Sequence, residues 1–464
     1  ARARAMSVEQ IAERIDDRFR ILGKGDTSRA SRQHTLKALI DWSYEMLSAD
    51  ERELLNRLSV FVGGWTLAAV EKIAGFEPLE EFDILDHLVS LVDKSLVVYD
   101  ADHHRYRLLE TMRQYVTEKL EEAGQSSKTA QMHAEFFLLE AESAAKGLLG
   151  KDPSVWMDRI DPDLDNFRQA IRTWRTTDVN RAARMVVGLY RYFDAQAIFG
   201  EPRESLEGLI GEGLEDDILA SALHSLGIFC RRQGDFEAAK KYLTEAINLQ
   251  EKIGDANLAS PYIGLATIEL YLGNPDQAIE IARKALELCE AGNDFRNVAT
   301  LRLILGNARS IEGDSALATQ EFEQALLVSK DHKLPDLQVY AQVNLGLNLT
   351  KLGEYERAST ELRQVLILAQ AMSVRAVVLD CLRFLAQAET RLRNWTTAAA
   401  LYGFEGELRQ KAGVKLSESD QKERDADLEA IVSSLGTEQY EQVIVKHKGA
   451  TIDSVLTWLQ SSVK

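Results

Sequence analysis

The amino-acid sequence predicts an all-α protein in three parts: a small helical module closed by a β-hairpin, a right-handed superhelix of helical hairpins, and a helical C-terminal cap. Three observations predict it. A leucine followed by a small residue recurs as Leu226-Gly227, Leu265-Ala266, Leu305-Gly306, Leu345-Gly346 and Leu385-Ala386, a period of 39 or 40 residues. Apolar residues keep a helical spacing along most of the chain, with only 7 Pro in 464 residues. The clearest strand-like runs, Leu96 to Tyr99 and Arg105 to Leu109, flank the turn Asp100-Ala101-Asp102-His103-His104.

Composition narrows the class before any motif is read. At 464 residues the chain is long enough for two to four domains, and 45% apolar residues supply material for helical cores. It contains no run of eighteen apolar residues, and Ala-Arg-Ala-Arg-Ala-Met leads straight into the helical pattern of Val8, Ile11, Ala12 and Ile15, which predicts a cytoplasmic protein. A start inside a helix without an initiator methionine predicts a longer parent. Cys230, Cys289 and Cys381 are odd in number and far apart, which argues against a disulfide framework or a zinc site. A formal charge of −18 opposes non-specific binding to a phosphate backbone.

The N-terminal module, residues 31–124, reads as four helices and the hairpin. The helices are Thr35 to Leu47, one opened by the capping box Ser48-x-x-Glu51, Thr66 to Ala74, and Phe82 to Lys94. Helices of this number ending in a hairpin make a winged-helix domain. Residues 125–181 read as linking helices, one capped by Asp163 ahead of Leu164, Phe167, Ile171 and Trp174.

The superhelix is expected over 182–412, about six hairpins. Residues 182–214 form an irregular first unit, with a turn at Gly200-Glu201-Pro202. In the five registered units a turn residue follows the small residue by seven positions: Gly234, Gly273, Gly313, Gly353 and, degenerate, Arg393. Alanine follows five further on, at Ala239, Ala278, Ala318, Ala358 and Ala398, and a second seam position holds Ala246, Ala285, Ala325, Val365 and Glu405. Small residues let paired helices approach, and the turn residue ends the first helix in a left-handed cap. The pattern resembles the tetratricopeptide repeat, whose unit is 34 residues. Phe236, Tyr242, Phe322 and Tyr355 are expected in the core. Residues 413–464 lose the register; a polar stretch from Ser417 to Asp427 precedes helices with Leu428, Ile431, Leu435, Val443 and Trp458, read as a cap over the last repeat.

Five segments carry a more specific resemblance: Ser7-Val-Glu-Gln-Ile-Ala-Glu-Arg-Ile-Asp-Asp-Arg-Phe-Arg20, His34-Thr-Leu-Lys-Ala-Leu-Ile-Asp-Trp-Ser-Tyr44, Leu58-Ser-Val-Phe-Val-Gly-Gly-Trp-Thr66, Leu91-Val-Asp-Lys-Ser-Leu96 and Arg107-Leu-Leu-Glu-Thr-Met-Arg-Gln-Tyr115. Together with Asp165-Asn166-Phe167-Arg168 they resemble the winged-helix region of bacterial signal-transduction ATPases with numerous domains (STAND), related to apoptotic and plant-resistance switches. The resemblance implies a switch in which ATP or ADP sits between an ATPase core and the winged helix, while the repeats sense a ligand. It implies that residues 1–30 are the tail of a helical domain and a linker, and that an upstream ATPase domain is a partner. No Gly-x-x-x-x-Gly-Lys-[Ser/Thr] occurs, and Gly23-Lys24-Gly25-Asp26-Thr27-Ser28 has the wrong spacing for a phosphate loop. ATP or ADP is therefore expected for the parent and no cofactor for this chain.

Candidate sites follow from both readings. In related switches a histidine at the end of the last strand of the winged helix touches the β-phosphate of ADP; aligned on Leu109, Arg107 takes its place. The alternative is a surface residue paired with Glu110 or Asp102. First-helix positions that line the concave face of tetratricopeptide arrays map to His224, Arg231, Thr267, Tyr271, Asn307, Ser310, Tyr340, Asn344, Thr350, Arg383, Gln387 and Arg391. That groove is expected to hold a protein, a peptide or a small effector. Glu80, Glu81, Asp83, Asp86 and Asp93 oppose only Lys94 on the expected recognition helix, which argues against direct nucleic-acid binding. His103 and His104, with Asp100 and Asp102, read as a solvated loop, with no metal expected. No catalytic constellation stands out, so the chain reads as the regulatory half of a signalling ATPase in transcriptional control, and not as an enzyme. The rival reading is a free-standing scaffold for protein assembly.

Overall fold

The computed structural model describes residues 40–150, 152–254, 259–371, 375–412, 416, 418–446 and 451–461. The tail and linker expected over 1–30, the Gly23–Ser28 stretch and the start of the helix expected from Thr35 lie outside these. The chain divides into two compact units, Ala1–Ser225 and Leu226–Lys464.

The first unit opens with a winged helix. Residues 40–45 are helical. Helix α1 (Ala49–Arg57) starts on the expected capping box: Ser48 Oγ accepts from the Glu51 amide at 3.1 Å, and the Glu51 carboxylate accepts from the Ser48 amide at 2.8 Å. Helix α2 (Leu67–Ala74) is capped by Thr66. Helix α3 (Ile84–Asp93) is shorter than the sequence pattern suggests, because Glu81–Asp83 form a 3-10 turn ahead of it. Strands β1 (Val98–Asp100) and β2 (Arg105–Arg107) pair antiparallel, with Tyr99 opposite Tyr106. Trp65 adds a third strand position, exchanging two 2.9 Å backbone hydrogen bonds with Tyr106.

The core beneath is apolar, with Leu54, Leu58, Phe61, Val70, Leu88 and Leu91 buried. Arg57 is buried with them. Its Nη1 donates to the carbonyls of Ala74 (2.7 Å) and Phe76 (2.6 Å), and Nη2 donates to Glu77 (3.0 Å) and Glu53 (2.6 Å). A guanidinium thus satisfies carbonyls left open where α2 ends.

Helices α4 (Glu110–Glu122), α5 (Ser126–Gly147), α6 (Pro153–Ile160), α7 (Leu164–Thr177), α8 (Val179–Gly188), α9 (Tyr190–Ala195) and α10 (Gly200–Leu209) follow in the unit. Two expectations change here. The Asp163 side chain makes no cap bond to α7; it accepts instead from Arg105 Nη2 at 2.5 Å and Asn166 Nδ2 at 2.9 Å. Gly200 is the first residue of α10 and not a turn, the chain having reversed earlier at Ala197, whose φ is +56°.

Asn166 explains why its motif accompanies the Gly63-Gly64-Trp65 turn. Fully buried, its Oδ1 accepts from the Val62 amide at 2.7 Å, and Nδ2 donates to the Gly64 carbonyl at 2.8 Å. One amide therefore ties α7 to the turn of the winged helix.

The hairpins follow the repeat register: α11 (Asp216–Arg232) with α12 (Phe236–Ile253), α13 (Ala259–Tyr271) with α14 (Pro275–Gly292), α15 (Phe295–Ile311) with α16 (Ser315–Asp331), α17 (Pro335–Leu352) with α18 (Tyr355–Ala371), and α19 (Arg375–Arg391) with α20 (Trp395–Ala412). Gly353 has φ +82°, and Arg393 adopts the same left-handed region at +61°. The small residues are required by contact: a Cβ on Gly306 would lie 2.4 Å from the Phe322 ring, and one on Gly346 2.5 Å from Leu362. Ala239, Ala278, Ala318, Ala358 and Ala398 are all fully buried. Of the aromatics expected inside, Phe322 is buried, Phe236 and Tyr242 pack on the edge of the core, and Tyr355 is half-buried at the start of α18. All three cysteines are buried thiols.

The cap comprises α21 (Glu418–Leu435), α22 (Thr437–Lys446) and α23 (Ile452–Ser461). Ile431, Val455 and Leu459 bury themselves against Leu401, Tyr402 and Phe404. The polar stretch up to Asp427 does not precede a helix; it is the first half of α21. Asp420, Glu423 and Asp427 within it have partners on α19.

Candidate functional site

Successive first helices pack directly on one another, α13 on α15, α15 on α17 and α17 on α19, which lines them up along one side of the second unit. Each leaves a single strip uncovered, because its other faces contact its own hairpin partner and its neighbours. Tyr271 and Tyr340 are exposed on that strip, and Arg231, Thr267, Asn307, Ser310 and Asn344 are half-buried along it. Between Tyr271 and Asn344 the expected positions are uncharged. Tyr271 stacks on Phe236 with ring centroids 5.5 Å apart, and Ser310 Oγ accepts from Lys351 Nζ at 3.2 Å.

Three expected strip residues are paired with the cap. Arg383 Nη1 donates to Asp420 at 2.6 Å, Gln387 Nε2 to Glu423 at 3.2 Å and Arg391 Nη1 to Asp427 at 2.5 Å. The acids sit at spacings of three and four along α21, matching the spacing of four along α19, so one helix face reads the other. The strip is thus already occupied at the fifth repeat. Asp427 also accepts from the Tyr402 hydroxyl at 2.6 Å and is almost fully buried.

Two further positions need correction. Thr350 is buried, its Oγ1 donating to the Gly346 carbonyl at 2.9 Å; Lys351 takes the exposed position beside it. His224 belongs to the first unit and is half-buried beside Tyr190, ring centroids 5.9 Å apart; burial and the Arg191 charge hold it down to about 4.

Sequence reasoning missed the ionic network beneath the cap. Glu405 is fully buried and pairs with Arg409 and, at 3.1 Å, with Arg424. The available signal was an acidic residue at a seam position that is Ala246, Ala285, Ala325 or Val365 in the other repeats.

Arg107 stands at the end of β2. The strand alternates: the Tyr106 ring packs against Tyr99 at 4.8 Å, while Arg105 and Arg107 take the opposite side. Arg105 is engaged with Asp163. Arg107 is exposed, with no hydrogen bond or ion pair among the described residues; Glu110 pairs with Arg113 at 2.8 Å. Pairing with Glu110 or Asp102 is therefore not what holds it.

The hairpin turn is a solvated loop as expected. His103 Nδ1 lies 3.0 Å from Asp100 and His104 Nδ1 3.1 Å from the Tyr99 hydroxyl. Among the described residues no cluster of His, Cys, Asp and Glu could hold a metal ion, and no helix is long and apolar enough to cross a membrane.

Comparison with known proteins matches two family models: a winged helix-turn-helix domain over residues 47–121, and a tetratricopeptide repeat over 218–291 and 257–331. A Mycobacterium tuberculosis protein named "Putative HTH-type transcriptional regulator" is 42% identical over 172 residues, 37% of this chain and 19% of the relative. An uncharacterized Mycobacterium bovis protein is 38% identical over 129 residues, 27% of this chain and 33% of its own. The chain thus spans a third or less of the curated relatives it matches. Among solved structures, a STAND protein with a tetratricopeptide repeat sensor from Pyrococcus horikoshii aligns with TM-score 0.48 at 16% identity, over 86% of this chain and 66% of that one. NprR in complex with its cognate peptide NprX aligns with TM-score 0.41 at 16% identity, over 65% and 90%.

Proposed function

We propose that this chain is the regulatory and sensor part of a longer bacterial STAND-type signalling protein acting in transcriptional control. Its divisions are a winged helix (31–124), linking helices (125–181), a solenoid (182–412) and a cap (413–464). The observation that carries this reading is the uncharged strip of Tyr271, Asn307, Tyr340 and Asn344 on a tetratricopeptide array joined to a winged helix. The relative with a transcription-regulator name, similar over 172 residues, supports the same direction.

The strip suits a peptide or protein segment, or a small effector with amide-like groups. An asparagine side chain donates and accepts together and can clamp a peptide unit, and tyrosine faces supply contact area at low entropic cost. Occupation of the strip changes how the array meets an upstream ATPase domain that holds ATP or ADP. Arg107 faces the nucleotide there, since a guanidinium can give a phosphate two parallel hydrogen bonds. The chain itself performs no catalysis. Helix α3 does not read DNA: its outer face carries Asp86 and Asp93, and Lys94 is taken by Glu51.

Peptides selected by display against the full chain test the strip. Replacing Asn307, Tyr340 and Asn344 together with alanine is expected to weaken a selected peptide at least tenfold. Unchanged affinity in that variant would place recognition elsewhere.

A further inference from the structure

Helix α3 is amphipathic, burying Ile84, Leu88 and Leu91. Its outer face is not wholly polar. Leu85 is 41% exposed and Val89 48%, and Phe82, in the turn just before the helix, is 75% exposed. Positions 82, 85 and 89 share one stripe at helical spacing. Single exposed apolar residues are ordinary, whereas an aromatic and two aliphatic residues in one stripe make a patch of the kind that marks an interface.

The charges around the stripe are acidic. Asp86 and Asp93 are exposed, with no hydrogen bond or ion pair among the described residues. The nearby cations are already spent: Lys94 pairs with Glu51, which also accepts from the Ser90 hydroxyl, and Lys72 pairs with Glu81 at 2.6 Å. A second copy of this chain would bring the same carboxylates against these, and a phosphate backbone would be repelled. What fits an apolar centre ringed by unpaired acids is its complement.

We propose that the outer face of α3, centred on Phe82, Leu85 and Val89, docks a protein surface whose apolar centre is ringed by lysine or arginine. The helix that reads DNA in other winged helices serves here as a protein-binding helix. None of the solenoid strip residues takes part in this surface, and its test does not depend on that site.

The probe is a synthetic amphipathic helix with a leucine stripe flanked by lysines, compared with the same helix flanked by glutamates, against the full chain. Two exposed double variants separate the contributions without touching the core: Leu85→Ser with Val89→Ser, and Asp86→Asn with Asp93→Asn. The lysine-flanked helix is expected to bind at least tenfold more tightly than its counterpart, to protect residues 81–93 from hydrogen exchange, and to lose at least tenfold in affinity to either variant. Unchanged binding in either variant, or protection confined to other segments, would overturn the proposal. So would self-association or duplex-DNA binding that the Leu85→Ser, Val89→Ser chain loses.

Discussion

Asn166→Ala removes four hydrogen bonds made by one fully buried side chain. The lost partners are the Val62 amide (2.7 Å), the Gly64 carbonyl (2.8 Å), Asp163 (2.9 Å) and, more weakly, His133 Nε2 (3.4 Å). Each ordinary hydrogen bond contributes about 1 kcal/mol net, and a buried group left unpaired costs about 1–3 kcal/mol. Asp163 keeps Arg105, so the penalty falls mainly on Val62 and Gly64, with the long contact to His133 adding little, and the substitution should cost about 3–4 kcal/mol. Asn166→Asp should also destabilise, since the carboxylate can still accept from Val62 but repels the Gly64 carbonyl and Asp163. Urea unfolding followed by the fluorescence of Trp65 and Trp174, with hydrogen exchange to separate the two units, measures the effect where a single two-state fit would blur it. A loss below about 1 kcal/mol, or one that spares residues 58–66, would refute the role assigned to this amide.

Other outcomes follow from the same structure. Glu405→Ala leaves Arg409 and Arg424 facing each other in a buried site and should destabilise the C-terminal hairpin and cap by about 3 kcal/mol, read as earlier loss of exchange protection in 395–435. Burial holds His133 down to about 4, against 6.5 for the free side chain. The unfolded chain therefore binds the extra proton between those values, so the contribution is complete above pH 6.5 and fades as pH falls toward 4, by about 3 kcal/mol at most. Denaturation midpoints measured across that window should fall with acid, and His133→Asn should flatten the slope. Arg391→Ala, whose partner Asp427 is buried, should loosen α21 by about 1–2 kcal/mol, the value being reduced because the arginine is itself part-exposed; exchange rates unchanged in 418–435 would contradict this.

The repeat was legible because its rules are local. A left-handed cap and a thin seam each demand particular residue types at fixed spacing, so Gly353 and Ala358 announce themselves. Even Arg393 kept the turn, since its neighbours hold the register. The winged helix was legible for a similar reason, through the Ser48–Glu51 box and the run on each side of the hairpin turn. What escaped was tertiary. Asp163 looked like a helix cap because its sequence neighbours suggest one, yet its carboxylate goes to Arg105, fifty-eight positions away. Arg383, Gln387 and Arg391 looked like open groove because nothing in their own repeat shows that α21 returns to pair with them. Thr350 was misplaced by one position, which on a helix is enough to turn a side chain from the surface into the core. Arg107 was picked out by aligning a motif on Leu109; that it is exposed and free of Glu110 could be learned only from the strand pairing and from the geometry of Arg113.

The claim that this chain governs a nucleotide switch is tested most directly by ADP release from the complete protein carrying Arg107→Ala or Arg107→Lys. A guanidinium on the β-phosphate predicts release at least tenfold faster in Arg107→Ala, with an intermediate rate in Arg107→Lys because an ammonium keeps the charge and loses the paired geometry. Release from Arg107→Ala at the wild-type rate would contradict the account.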